Sequence, residues 1–229
     1  MSEFQPIKNE FVPWTPWNTP VREAKVALIT TAGLYLKHGL QEQFDLTIPG
    51  GDPTFREFPS VVSLEDLALS HVSSDQGASS KDLNVLFPLE RLKELAAAGY
   101  IGSVAPFAYS FMGHVTDPAA LLSNYAVSVA YRLKRMGPDL ALFVATGQVD
   151  QQTAALVARA VELAGVPTLV LGTDRNVLES VGVPRGVVVK NPDFAPLGQP
   201  GNAGKHQHIL RSAFDAAWEF ESARMVAEL

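Results

Sequence analysis

Residues that can act as acids, bases or metal ligands are concentrated in a few short segments. His71 and Asp75 lie four residues apart in SHVSSD, and His114 follows a later apolar segment. A histidine beside an aspartate can be a base oriented by a carboxylate, and loop residues of these types can also hold zinc or iron. The alternative is a histidine hydrogen-bonded at the rim of a sheet and an aspartate that caps a turn. We take His71, Asp75 and His114 as candidate catalytic residues and assign no metal ligand.

A fourth candidate lies in ATGQVDQQTAALVARA, where an apolar segment stops and a helical pattern begins at Asp150. An aspartate just before a helix is first of all an N-cap, because its side chain accepts free backbone N–H groups. A carboxylate at the floor of a cleft can also be a general base when burial raises its pKa. The two roles are compatible, and we predict both for Asp150.

Strand-like and helical segments alternate along the chain and must position these residues. The strand-like segments are short and apolar on both faces, as expected for strands covered by helices on both sides. They are KVALITT, LALSHVS, YIGSVAPFAYSFMG, LALFVAT, PTLVLG and GVVVK. Helical patterns occupy residues 88–99, 117–137, 150–165, 176–182 and 203–229. This alternation predicts an α/β fold with a mostly parallel, doubly wound, Rossmann-like three-layer sheet of about six strands.

The domain organisation follows from the prolines near the N-terminus. FVPWTPWNTP has three prolines and two tryptophans, Trp14 and Trp17, which predicts an extended arm over residues 1–24. The tryptophans either pin this arm to the body or face a partner or a pocket. Residues 25–229 are predicted to form a single α/β domain.

Ligands of open α/β sheets bind at the carboxyl ends of the strands, where this sequence places small and polar residues. Arg56, in GDPTFREFP, could hold a carboxylate through paired hydrogen bonds, although a surface salt bridge is an equally good interpretation. The predicted substrate-binding residues are Thr30, Thr31, Arg56, Ser110, Thr146, Gly147, Gln148 and Gln151.

Net charge and the lengths of the apolar segments argue against several classes of function. The net charge is −6 and no basic stripe is present, which argues against nucleic-acid binding. No apolar segment reaches the roughly 18 residues that cross a bilayer, and the first ten residues lack a signal-peptide core. We therefore expect a cytoplasmic protein that does not bind membranes.

Nucleotide-binding glycine motifs and the G-x-S-x-G motif are absent. The chain has no cysteine, which excludes disulfides, thiolate nucleophiles and sulfur-ligated metals.

Several segments together resemble one family, the component B subunits of glycine, sarcosine and betaine reductases, which includes the gamma subunit of D-proline reductase. They include KVALITTAGLYLK, NVLFPLERLKELAAAGYIG, YSFMG, TAALVARAVELAGVPTLVLG and PLGQPGN. The resemblance implies reductive cleavage of a carbon–nitrogen bond in a small amine or amino acid. It also implies a selenocysteine or cysteine where a strand meets a helix, a second cysteine three residues later, and a partner subunit that often supplies a pyruvoyl group.

Aligned with this pattern, the chalcogen position falls at Gly147, the second cysteine at Asp150, and a common histidine at Gln151. Without cysteine, the chain cannot perform the attack by sulfur or selenium. We hold three hypotheses: acid–base chemistry on a small amine-like substrate, a catalytically silent binding or scaffold subunit, and an oxidoreductase subunit whose redox group comes from a partner or cofactor. We expect a homo-oligomer or assembly with a partner subunit, and assign no cofactor.

Overall fold

A computed structural model describes residues 4–70, 81–145, 147–190 and 195–229. In these ranges the chain is a mixed α/β protein. The strands are β1 (Lys25–Thr30), β2 (Leu34–Leu36), β3 (Phe55–Pro59), β4 (Leu67–Leu69), β5 (Ser103–Val104), β6 (Phe107–Phe111), β7 (Leu140–Val144), β8 (Thr168–Gly172), β9 (Arg185–Val188) and β10 (Met225–Glu228). The α-helices are α1 (Leu89–Ala97), α2 (Ala126–Met136), α3 (Gln148–Leu163), α4 (Arg175–Val181) and α5 (Ala203–Trp218).

The central sheet is mostly parallel, as predicted. Its order is β10-β9-β8-β7-β1-β6-β3, and the short β5 also pairs with β1. Only β3 runs antiparallel to its neighbour, β6. The sheet has eight strands rather than about six, because β3, β5 and β10 join it, while β2 and β4 form a separate antiparallel pair.

The strands are apolar on both faces because both faces are covered by helices. Val26 and Leu28 of β1 belong to one apolar cluster, which includes residues of α1 and α5. Ala27 and Ile29 belong to a second cluster, which includes residues of α2, α3 and α4. Alternate residues of a strand point to opposite faces, so a strand buried on both sides reads as a continuous apolar run.

Three local predictions were wrong. In the described part of LALSHVS, residues 67–70, Leu67–Leu69 form a strand, but this strand pairs with β2 and not with the main sheet. The predicted helix over 203–229 ends at Trp218, and its last residues form β10 on the open edge of β9. There, pairing with a distant strand overrides local helical preference.

The third correction concerns Asp150, which is not the N-cap of α3. Gly147 occupies that position, in an extended conformation with φ −70° and ψ 168°. Asp150 is the third residue of the helix, and its carboxylate accepts the Gly147 N–H at 3.2 Å. An acidic residue at this position can bond back to the capping residue, which satisfies a free N–H just as a side-chain cap does.

The N-terminal arm is held against the body by both tryptophans. Trp17 is buried, with its ring 5.3 Å from that of Trp218 in an edge-to-face arrangement. Trp14 covers the guanidinium of Arg185, which lies 3.6 Å from the ring centre. The tryptophans therefore pin the arm to the body, which is the first of the two interpretations given above.

A buried ion pair lies beneath the arm. Arg185 of β9 contacts Glu162 of α3 at 2.7 Å, and both side chains are fully buried. The Glu162 carboxylate also accepts the Thr15 N–H at 2.7 Å and the Thr168 N–H at 2.8 Å, while Arg185 donates to the Thr15 carbonyl. One pair of charges thereby joins the arm, α3, β8 and β9.

Burial works against both charges of this pair. Burial raises the pKa of Glu162, although Arg185 and the hydrogen bonds to the carboxylate oppose that change. Burial likewise lowers the pKa of Arg185, against the attraction of Glu162. The pair is therefore stabilised by its mutual attraction and by the hydrogen bonds to the carboxylate, and removing either member leaves an uncompensated buried group.

The part of the chain described by the structure includes no helix that is both long enough and apolar enough to span a membrane.

We predict that Arg185→Met lowers the free energy of unfolding by about 3–5 kcal/mol, because Glu162 is left buried without its partner. Urea denaturation followed by circular dichroism measures this. The matched control is Arg175→Met, which removes a partly exposed pair with Glu179 and is expected to cost about 1 kcal/mol or less. Adding Glu162→Gln to Arg185→Met should recover part of the loss. Equal losses in the two single variants would show that the buried pair has no special role.

Candidate functional site

The topology of the sheet has a switch point at the carboxyl ends of β1 and β7. These strands are neighbours, but the chain leaves β1 for β6 on one side and leaves β7 for β8 on the other. Ligands of open α/β sheets bind at such a switch point, because the connections on its two sides diverge and leave a gap. The predicted residues at the ends of β1, β6 and β7 therefore lie at the edge of the sheet where a ligand is expected to bind.

The end of β1 presents two buried threonines with different surroundings. The Thr30 hydroxyl donates to the Leu86 carbonyl at 2.8 Å and accepts the Ala32 N–H at 3.2 Å. The Thr31 hydroxyl is similarly buried and has no hydrogen-bond partner among the described residues. An unsatisfied buried hydroxyl is destabilising, and such groups in native proteins often mark a place for a ligand or a water molecule.

The end of β6 approaches the other two strand ends very closely at Gly113. A side chain could not fit there, because a Cβ on Gly113 would lie 2.3 Å from the Thr31 carbonyl oxygen and 2.9 Å from Asp150 Oδ1. Gly113 also has a φ of +87°, which favours glycine. Its carbonyl accepts a hydrogen bond from the Thr153 hydroxyl of α3. Gly113 is thus the point at which the ends of β1 and β6 meet the first turns of α3.

Ser110 has a structural contact near this point. Its side chain is fully buried, and its hydroxyl oxygen accepts the Leu34 N–H at 2.8 Å. This bond fastens β2 to the end of β6. The hydroxyl also donates to the Phe111 carbonyl at 3.3 Å, so Ser110 remains a predicted binding residue whose hydroxyl already donates one hydrogen bond and accepts another.

Asp150 lies at the junction of β7 and α3 and is 8% exposed. Its carboxylate packs against Gly113 and accepts the Gly147 N–H. The first turn of a helix carries partial positive charge, so it favours an ionised carboxylate. Asp150 therefore combines a capping bond with a position at the switch point of the sheet.

The two predicted glutamines turn toward the end of β8. Gln151 Oε1 accepts the backbone N–H groups of Thr173 and Asp174, each at 2.9 Å, and its Nε2 donates to the Thr173 hydroxyl at 3.1 Å. Gln148 Nε2 donates to the Asp174 carboxylate at 2.9 Å. These bonds hold the β8–α4 turn against α3, and any contact of either glutamine with a ligand stays a prediction.

His114 follows Gly113 in the sequence and lines a cavity of about 340 Å³. A cavity of this volume is at the lower end of the range that small-molecule sites occupy. It is lined by Leu46, Ile48, Gly50, Gly51, Met112, His114 and Thr116. Its walls are mainly apolar, so the exposed imidazole of His114 is the one ionisable group among the described lining residues.

The hydrogen bonds of Arg56 do not join it to the other predicted site residues. Its guanidinium donates to the carbonyls of Glu42 at 2.8 Å and Gln43 at 3.2 Å, and it lies 4.2 Å from the ring centre of Phe44. These contacts fix the 41–45 loop at the β3 edge. A role for Arg56 in holding a substrate carboxylate stays a prediction.

Three predicted residues, His71, Asp75 and Thr146, lie outside the described residues. Among the residues that are described, no group of three or more histidine, aspartate or glutamate side chains could hold a metal ion.

Comparison with known proteins decides the family. The chain is 32% identical to the D-proline reductase subunit gamma of Acetoanaerobium sticklandii over 216 residues, which cover 94% of this chain and 87% of that protein. The chain belongs to this reductase family. The predicted resemblance is thereby confirmed.

More distant members of the reductase family are longer than this chain. The glycine reductase complex component B subunit gamma of Carboxydothermus hydrogenoformans is 25% identical over 87% of this chain and 46% of its own length. The sarcosine reductase complex component B subunit beta of Peptoclostridium acidaminophilum is 24% identical over 87% of this chain and 45% of its own length. The chain thus spans slightly less than half the length of these two relatives. No protein-family model and no solved structure matches the chain.

This reductase-family member has no sulfur or selenium nucleophile in its 229 residues. Gly147, onto which we align the chalcogen position, is the N-cap of α3. Asp150, onto which we align the second cysteine, provides the carboxylate beside it. Neither contact of Asp150, with Gly113 or with Gly147, depends on that alignment.

Sequence reasoning missed the apolar wall of the cavity. Leu46 and Ile48 lie in a loop with no periodic pattern, and they reach His114 because Gly50 and Gly51 allow the loop to pack on the 114–117 backbone. A Cβ on Gly51 would lie 2.2 Å from the His114 carbonyl oxygen. The two adjacent glycines were the available signal, because glycine pairs often mark a close approach of backbones.

We predict different effects on stability when each of the two threonine hydroxyls at the end of β1 is removed. Thr30→Val should lower the free energy of unfolding by about 1–3 kcal/mol, because the Leu86 carbonyl loses its donor. Thr31→Val should leave it unchanged or raise it, since no hydrogen bond is lost. Urea denaturation of the ligand-free protein compares the two. A similar loss in both variants would mean that the Thr31 hydroxyl is bonded in solution.

We further predict that a cysteine at Gly147 is acidic. The φ of Gly147 suits any residue, and a thiolate at a helix N-terminus is stabilised, so Gly147→Cys should have a pKa below the usual value of about 8.5. The pH dependence of alkylation by iodoacetamide measures it cleanly in a chain with no other cysteine. His208→Cys, at an exposed position within α5, is the control. Adding Asp150→Asn should lower the thiol pKa further, and equal values at positions 147 and 208 would contradict the prediction.

Proposed function

We propose that the chain binds a small amine or amino-acid-like molecule at the carboxyl edge of β1, β6 and β7 and acts on it by acid–base chemistry without a thiol. The observation that carries this proposal is the position of Asp150. Its buried carboxylate lies at the start of α3, at the switch point of the sheet, against Gly113. It lies where family members are expected to carry a redox residue.

Asp150 has two roles in this proposal. As a carboxylate it pairs with the ammonium group of the substrate, and it accepts a proton when that substrate reacts. The N–H of Gly147 and the start of the helix favour the charged form, whereas burial favours the neutral form. Carboxylates are among the side chains that act as general bases in enzymes.

The remaining candidate residues surround Asp150 in the proposal. His114 supplies a second acid or base from the neighbouring cavity, and His71 and Asp75 are retained as further candidates. The Thr31 hydroxyl supplies a hydrogen bond that it makes with none of the described residues. The other proposed binding residues are Thr30, Arg56, Ser110, Thr146, Gly147, Gln148 and Gln151.

A role in an amino-acid reductase complex is part of the same proposal. The relatives are named as subunits of D-proline, glycine and sarcosine reductases. Any reductive step in this protein needs a redox group from a partner or a cofactor, because the chain has no cysteine. We also propose a Rossmann-like three-layer classification, supported by the helices on both faces of the sheet, and a cytoplasmic location.

A catalytically silent binding or scaffold subunit is the second candidate. It is favoured by the capping bond of Asp150 and by the bonds of Gln148 and Gln151 to the β8–α4 turn. All three side chains contribute to local structure. A subunit that had lost its catalytic activity and kept its fold would retain these structural hydrogen bonds.

We predict that Asp150→Asn weakens amine binding at least tenfold, which is about 1.4 kcal/mol, because the charge that pairs with the ammonium group is removed. Isothermal titration calorimetry with D-proline, glycine, sarcosine and betaine measures the affinities. Betaine has no N–H group, so its binding separates the effect of charge from that of hydrogen bonding.

Asp139→Asn is the matched control. Asp139 bonds Thr19 and Lys25 at the opposite edge of the sheet, so its loss should lower stability without changing affinity. Failure of all four compounds to bind the native chain, or equal affinity in the Asp150→Asn variant, would contradict the proposal and favour the silent subunit.

A further inference from the structure

Helix α2 carries apolar residues on two faces. Its inner face is buried in the core through Ala126, Val129, Ala130 and Leu133. A surface helix in a soluble protein ordinarily has one apolar stripe, which faces the core, and a polar outer face. The outer face of α2 departs from this pattern.

The outer stripe consists of Leu122, Val127, Tyr131 and the neighbouring Phe107 of β6. These side chains are 40%, 56%, 61% and 42% exposed. Leu122 lies in a π-helical turn, Leu121–Tyr125, that leads directly into α2. Because residues five apart are stacked in a π turn, Leu122 is brought into line with Val127, and Tyr131 follows one α-helical turn later.

A groove of about 620 Å³ lies beside the outer stripe, and its walls include residues of α2, β3 and β6. Phe107 and Tyr131 belong both to the stripe and to the wall of this groove. The exposed apolar surface is therefore combined with a recess into which side chains of another molecule could insert.

The charge beside the stripe is positive. Residues 118–138, which include all of α2, contain three basic residues and no aspartate or glutamate, in a chain that has 24 acidic and 18 basic residues. Lys134 lies three residues after Tyr131, on the same face of the helix. Arg135 lines the groove, with its guanidinium 5.7 Å from the ring centre of Tyr131. Lys134 and Arg135 are both exposed, and neither forms an ion pair with a described residue.

The acid of the groove does not balance these two charges. Glu57 contacts Arg132 at 3.0 Å and also accepts a hydrogen bond from the Tyr109 hydroxyl. Basic residues in the last turn of a helix favour its dipole, but that effect does not require apolar side chains beside them. The outer face of α2 therefore combines exposed apolar groups with positive charge that the described residues leave uncompensated.

We propose that the outer stripe and the groove form a docking surface for an acidic, apolar segment of a different protein. Charge complementarity selects this occupant, because its carboxylates would face Lys134 and Arg135 while its apolar side chains cover Val127 and Tyr131. A second copy of the chain would present the same positive face, whose acid, Glu57, is already paired. Exposed tyrosine and arginine are also the residue types that most often contribute strongly to binding between proteins.

The size of the surface and the number of its charges favour a protein segment over other anions. The stripe from Leu122 to Arg135 is about 20 Å long, which matches about 13 residues of a partner helix and exceeds the length of a small metabolite. Nucleic acids and anionic membranes are bound through larger clusters of basic residues than Lys134 and Arg135 provide.

This docking surface is separate from the switch point of the sheet. The stripe lies on the outer face of α2, whereas Asp150 lies at the start of α3. The proposal therefore holds or fails independently of the proposed acid–base function.

The first test selects binding peptides without assuming their sequence. Random peptides of about 16 residues, long enough for four helical turns, are displayed on phage and selected on the native full-length chain. Phage that also bind the double variant Tyr131→Ala, Arg135→Glu are removed. We expect the remaining peptides to be enriched in aspartate and glutamate together with large apolar residues. Enrichment of basic peptides, or of no peptides, overturns the proposal.

The second test measures the affinity of one selected acidic peptide by fluorescence anisotropy. We expect Tyr131→Ala to weaken binding at least about 30-fold, as for a residue central to an interface. Lys134→Glu and Arg135→Glu should each weaken it about tenfold at low salt, because like charges then meet. Added salt should weaken binding by the native chain more than binding by these two variants.

The matched controls change similar residues elsewhere on the surface. Lys205→Glu reverses an exposed charge on α5, and Met225→Ala removes a side chain that is 41% exposed on the opposite edge strand, β10. Both controls should bind the peptide like the native chain, and circular dichroism should show that all variants are folded.

The proposal is overturned if the peptide binds the Tyr131, Lys134 and Arg135 variants as tightly as it binds the native chain. It is also overturned if native mass spectrometry shows a dimer that Tyr131→Ala disrupts, because a second copy then covers the surface.

Discussion

The placement of α3 is the constraint on which the candidate site depends. The helix is held at its far end by the buried pair of Glu162 and Arg185, which also fastens the N-terminal arm and two strands. It is held at its near end by the close approach of Gly113 to Asp150. The two carboxylates are twelve residues apart, or about 18 Å along the helix axis. Neither attachment tolerates much movement, so Asp150 is positioned on a rigid element rather than on a loop.

The chemistry available at this position differs from that which the family resemblance implies. A thiolate or selenolate can attack carbon and carry electrons, whereas a carboxylate can bind a cation or move a proton. The junction of β7 and α3 has features that stabilise negative charge, the helix start and the Gly147 N–H, in a chain that has no cysteine. The Thr31 hydroxyl, which has no hydrogen-bond partner among the described residues, is the feature that local structure does not require. A purely structural remnant would gain stability by replacing that hydroxyl with a methyl group.

Helices α2 and α3 pack side by side in one layer, within the same apolar cluster. The inner face of α2 supports α3 through buried residues such as Val129 and Leu133.

The sequence by itself determined the parallel α/β class, most of the helices, the family and the absence of thiol chemistry. These depend on periodicity, composition and residue identity, which are local properties. Tertiary structure alone decided that Gly147 rather than Asp150 caps α3, that MVAE is a strand, and that Leu67–Leu69 lies outside the main sheet. It also decided that Gly113 joins Thr31 to Asp150 and that Arg56 holds a loop. Each of these depends on a residue distant in sequence, and local patterns report burial and period but not which distant group is the partner.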